Sequence, residues 1–153
     1  EPTTALDVTI QAQVLEVMKG LADEFGTALI MITHNLGVVA RYAERVIVMY
    51  AGRIIESGSA EQIYGNPRHP YTLGLLKSVP RLDEVRKAKL DPIEGLPPLL
   101  VDLPVACNFA PRCKFAIDKC LQGVPQLEQV EEGHMSACFR SKELAKLAKD
   151  AAD

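Results

Sequence analysis

Hydrophobic positions divide the chain into blocks with different periods. Within residues 8–25, Val14, Leu15, Met18, Leu21, Ala22 and Phe25 recur at steps of three and four, the spacing of one helical face. Asp7 stands where an N-cap would, able to offer its carboxylate to the unpaired N–H groups of the first turn, and Gly26 suits the stop. Residues 27–33, Thr-Ala-Leu-Ile-Met-Ile-Thr, form a nearly continuous apolar run. Without polar alternation, that run predicts a strand covered on both faces, as in a parallel sheet. A short helix is expected over 36–43, a second buried strand over 45–50 and a third over 53–56. Ala51-Gly52 between the last two predicts a hairpin. Ser59-Ala-Glu-Gln62 fits a capping box opening another short helix. Strands and helices in this order imply α/β layers, with Met18, Met31 and Met49 in the core.

Beyond residue 66 the pattern thins. Pro70 suits the first turn of a helix through about Lys77, and Val79-Pro80 ends it. Residues 91–106 read as extended, and 141–152 as a polar terminal helix. Prolines crowd the middle, at 67, 70, 80, 92, 97, 98 and 104, while all four cysteines lie after residue 106. These shifts divide the chain into an apolar first part over 1–65, a Pro-rich connector with a short helix over 66–106, and a small Cys-rich unit over 107–153.

Composition then narrows the function classes. The 153 residues are 48% apolar and 24% charged, ordinary for a folded domain. No apolar run reaches the roughly 18 residues of a membrane span, and Glu1-Pro2-Thr3-Thr4 does not read as a secretory signal. A net charge of −3, no Trp and 5% aromatics argue against nucleic acid as a partner.

The candidate chemistry lies in two places. His34 follows the apolar run at a strand's carboxyl end, where open α/β sheets place ligand-binding groups; a lone histidine there also serves simply as a loop or capping residue. His69 and His134 read as structural or solvated. Cys107-x5-Cys113-x6-Cys120-x17-Cys138 could supply four thiolates to a tetrahedral zinc or an iron–sulfur cluster. The spacing lacks a C-x2-C knuckle, and two disulfides would serve in an oxidising compartment. A segment with so few large apolar side chains needs some cross-link, so the four sulfurs are expected to converge.

Glu1-Pro-Thr-Thr-Ala-Leu-Asp7 followed, across a helix and a strand, by Thr33-His34-Asn35 resembles the ATPase subunits of ABC transporters. Residues 66–80, Asn-Pro-Arg-His-Pro-Tyr-Thr-Leu-Gly-Leu-Leu-Lys-Ser-Val-Pro, narrow the resemblance to the oligopeptide, dipeptide and nickel importers, whose tails are also similar to the four-cysteine segment. The resemblance implies the C-terminal part of a P-loop ABC ATPase domain, a mostly parallel sheet with helices, plus a small Cys-rich extension. It implies that Glu1 is the catalytic glutamate, that His34 acts on the γ-phosphate, and that Asp7 belongs to the D-loop at the dimer interface. It implies ATP and Mg²⁺ in the intact parent, and favours a [4Fe–4S] cluster at Cys107, Cys113, Cys120 and Cys138, ahead of zinc, disulfides and free thiols. The implied partners are integral membrane permease subunits, a second identical or paralogous ATPase and, indirectly, a solute-binding protein, at the cytoplasmic face of the membrane. The phosphate loop, G-x-x-x-x-G-K-[ST], and the Leu-Ser-Gly-Gly-Gln signature are absent, so the chain by itself is expected to be inactive and to self-associate through unpaired strands. The competing reading is a non-enzymatic metal-binding or redox module.

Overall fold

The computed structural model describes residues 7–78 and 92–150. The chain divides into two units, Glu1–Ala43 and Glu44–Asp153.

In the first unit, helix α1 runs Val8–Phe25. Asp7 caps it, its Oδ1 accepting from the Thr9 N–H at 2.8 Å. Gly26, with φ of 61°, closes the other end. Its N–H and that of Thr27 return to the carbonyls of Asp23 and Ala22 at 3.4 and 2.9 Å, the paired bonds of a Schellman stop. Helix α2, Leu36–Tyr42, is capped by Asn35. The two helices are tied by the Tyr42 hydroxyl, which donates to the Ala12 carbonyl at 3.3 Å.

The expected strand over 27–33 does not form: those residues have neither helix nor strand, and Ile30 and Ile32 are 87% and 83% exposed. An apolar run becomes a central strand only where ladder partners satisfy its backbone on both edges, and no described segment pairs with it.

The second unit holds a four-stranded sheet in the order β1-β2-β4-β3, formed by β1 Arg45–Tyr50, β2 Arg53–Ser59, β3 Glu128–Glu131 and β4 His134–Ser136. Every pairing is antiparallel, which overturns the mostly parallel sheet. The reason lies in the connections. Ala51 and Gly52 have φ of 48° and 74°, a two-residue hairpin turn that can only reverse the chain. Between β3 and β4, Gly133 with φ of 70° does the same. The expected burial of β1 on both faces also fails: its residues alternate, and Ile47 and Met49 are 54% and 57% exposed. Met49 is therefore not a core residue.

A bulge re-phases β2. Val48 pairs with Glu56 but Met49 with Ile54, so Ile55 is the extra residue. Ile55 through Gly58 are all buried. Helix α3, Ala60–Gly65, opens with the Ser59–Gln62 capping box, and α4, Pro70–Lys77, carries Pro at its start. A short 3-10 turn, Ala110–Arg112, precedes α5, Asp118–Gln122, and α6, Leu144–Asp150. Tyr50, Ile55 and Phe109 form the core. Tyr50 and Tyr71 each meet Phe109, with centroids 5.2 and 5.4 Å apart, in the edge-on geometry that the ring quadrupoles favour. Arg112 fixes the neighbouring segment by donating to the Ile93 and Glu94 carbonyls at 3.0 and 2.9 Å.

Candidate functional site

Glu1 lies outside the described residues, as do Thr3, Thr4, Ala5, Leu6 and Pro80. Asp7 is exposed and acts locally as the α1 cap. His34 is exposed in the turn that leads into α2. That turn is held from both sides. The Thr33 hydroxyl accepts from the Asn35 N–H at 3.1 Å, and Asn35 Oδ1 accepts from Gly37 and Val38 at 3.0 and 3.3 Å. Thr33-His34-Asn35 thus sets the imidazole at the mouth of a capped helix.

The four cysteines lie in the second unit. Cys107, Cys113, Cys120 and Cys138 all line one small cavity of about 20 Å³, together with Phe109, Phe115 and others. The Cys107 N–H donates to the Cys120 carbonyl at 2.9 Å, and Cys138 Sγ accepts from the Arg140 N–H at 3.4 Å. Burial pushes the Cys107 thiol up, Cys113 to about 11 and Cys138 to about 12. The mutual repulsion of neighbouring thiolates adds to each rise.

The iron–sulfur and zinc readings are overturned here. Among the described residues, no group of three or more His, Cys, Asp or Glu is arranged to hold a metal ion. The four-cysteine segment closes its core on residues from earlier in the chain, with Phe109 seated against Tyr50 and Tyr71.

A second buried cluster was invisible in the sequence. Glu56 and His134 are both 0% exposed, and His134 Nε2 stands 2.8 Å from Glu56 Oε1. The same carboxylate accepts from the backbone N–H groups of Arg68 and His69. One side chain on β2 thereby gathers β4 and the turn before α4. His134 Nδ1 has no hydrogen-bond partner, with Glu131 Oε2 4.0 Å away. His69 is the α4 cap. Its Nδ1 accepts from the Tyr71 N–H at 3.1 Å, so the other ring nitrogen carries the proton. Both histidines are structural, and neither is solvated. Residues 78 positions apart give no periodic signal.

Among the described residues, no helix is long and apolar enough to cross a membrane. Residues 55–120 match the family model for the oligopeptide/dipeptide transporter, C-terminal region. Over 150 residues the chain is 55% identical to a Brucella ovis protein described as a peptide import ATP-binding protein, covering 95% of this chain and 44% of that one. It is 52% identical over 142 residues to the oligopeptide transport ATP-binding protein of Mycobacterium tuberculosis, covering 93% of this chain and 23% of that one. With the corresponding protein of Haemophilus influenzae, identity is 51% over 143 residues, covering 94% and 44%. The chain thus spans less than half the length of these relatives.

Proposed function

The chain belongs to the ATP-binding subunits of oligopeptide/dipeptide ABC transporters, as their C-terminal region, and from that premise we propose that it forms part of the ATPase that powers peptide import. The observation that carries the proposal is identity of 51–55% over 94–95% of the chain to proteins of peptide import and ATP binding. In this reading residues 1–65 complete the nucleotide-binding domain, 66–106 connect it, and 107–153 form a non-catalytic extension. Glu1 polarises the water that attacks the γ-phosphorus, while the bond to the ADP oxygen breaks. His34 donates to a γ-phosphate oxygen, and Asp7 belongs to the loop facing a second ATPase subunit. The exposed, doubly braced turn around His34 supports its role. The subunit sits peripherally on membrane permease subunits at the cytoplasmic face, with a solute-binding protein delivering the peptide. The chain alone self-associates, through apolar side chains such as Ile30 and Ile32 that stand exposed.

The test is made in the full-length ATPase subunit. Glu1→Gln and His34→Ala should each retain ATP binding and lower hydrolysis by about 10²–10⁴-fold, the usual contribution of a positioned proton-transfer group. Near-normal turnover in either variant would remove that residue from the mechanism.

A further inference from the structure

In the first unit, Asp7 and His34 are each fixed to a helix. Asp7 is the cap of α1, its carboxylate held by the Thr9 N–H. His34 immediately precedes the Asn35 cap of α2, whose Oδ1 accepts from Gly37 and Val38. Where His34 stands relative to Asp7 therefore follows from how α1 and α2 sit on each other. Residues 27–33 between the helices form neither helix nor strand, so that run supplies no ladder to set the spacing. Side chains on the last turn of α2 do supply ties. The half-buried Tyr42 hydroxyl donates to the Ala12 carbonyl at 3.3 Å. Arg41 donates to Glu16 Oε1 at 3.0 Å, and its guanidinium lies 5.4 Å from the centroid of the Tyr42 ring. The side chains of that ion pair are 65% and 58% exposed, and such pairs contribute little. The Tyr42 bond is better shielded from water, and its acceptor is a backbone atom held in the α1 ladder.

We infer that Tyr42 is a positioning residue for the hydrolytic step: its hydroxyl locks α2 to α1 and so holds His34 in place relative to Asp7. The inference rests on the ATPase reading above, in which His34 acts on the γ-phosphate. Helix α2 has seven residues, about 10 Å at 1.5 Å per residue, so a tilt released at Tyr42 reappears as displacement at His34. Misplacing a reacting group by about 1 Å costs on the order of 10²-fold in rate.

The test is steady-state ATP hydrolysis by the full-length ATPase subunit. Tyr42→Phe keeps the ring and removes only the hydroxyl. It should lower kcat about three- to tenfold, the population shift of one neutral hydrogen bond, leave KM for ATP unchanged and melt within a few degrees of the wild type. Glu16→Gln, which cuts the exposed ion pair, should stay within about twofold of the wild-type kcat. A merely structural hydroxyl would reduce activity by the same factor in every background. Positioning through His34 predicts instead that Tyr42→Phe has no further effect on kcat in a His34→Ala background, read as a double-mutant cycle. Near-normal turnover in His34→Ala would overturn the ATPase role of His34 and this inference together. Crippled turnover in His34→Ala, with Tyr42→Phe either at wild-type kcat or fully additive with it, would overturn this inference alone. So would a loss in Glu16→Gln as large as that in Tyr42→Phe.

Discussion

Acid should destabilise the second unit through His69, and the structure sets the size of the effect. The side chain is 2% exposed, and burial holds its imidazole down at about 3 from an ordinary 6.5. The folded state therefore keeps the ring neutral, with Nδ1 accepting from the Tyr71 N–H. The unfolded chain takes up a proton below about pH 6.5 that the folded chain refuses. Because the folded value is depressed, the stability this group supplies is complete above pH 6.5 and is lost as pH falls toward 3. At 1.36 kcal/mol per unit, the loss is about 2 kcal/mol at pH 5 and about 3 kcal/mol at pH 4. Against a total of roughly 5–15 kcal/mol for a domain, that is a large share. His69→Asn keeps a good N-cap for α4 and removes the titration. Its baseline stability is lower because the ring's contact with Phe109, centroids 5.8 Å apart, is gone. The assay is urea unfolding followed by circular dichroism at pH 7, 6, 5 and 4 for both proteins. Carboxylates contribute equally to the two curves, so the difference between them isolates His69. The gap should narrow by about 2 kcal/mol between pH 7 and pH 5. Parallel curves over that range would refute the burial argument.

Three further outcomes are expected. Glu56→Ala should cost about 3–5 kcal/mol, because it strands a buried imidazole and two backbone donors; a melting temperature near wild type would show that the clasp carries no stability. Gly74→Val should cost about 1–3 kcal/mol by overpacking, since even a Cβ there would lie 2.8 Å from Ile93 Cγ1; an unchanged urea midpoint would mean that Ile93 moves freely. Cys113 and Cys138, raised to about 11 and about 12, should alkylate with iodoacetamide at pH 8 far more slowly than the same residues in urea, read by mass spectrometry. Equal rates would show thiolates where burial predicts thiols.

Local rules were legible without any structure. The α1 stripe, its Asp7 cap and Gly26 stop, the Ser59–Gln62 box, Pro70 at the start of α4 and the 51–52 hairpin turn all depend on neighbours within a few positions. The motifs of Glu1–Asp7 and Thr33–Asn35 led to the family for the same reason, since each is a short contiguous string. Sheet direction was legible only at the 51–52 hairpin. A buried strand reads alike whether its partners run parallel or antiparallel, and the run over 27–33 found no partner among the described residues at all. The cysteines show the same division. Their convergence was expected from how few large apolar side chains surround them, and all four do line one cavity, yet only the tertiary structure showed no group of three or more side chains arranged to hold a metal ion among the described residues. The Glu56–His134 clasp had no sequence signature. It joins residues that meet because β2 pairs with β4, and a pairing across nearly eighty residues leaves no periodic trace in the chain itself.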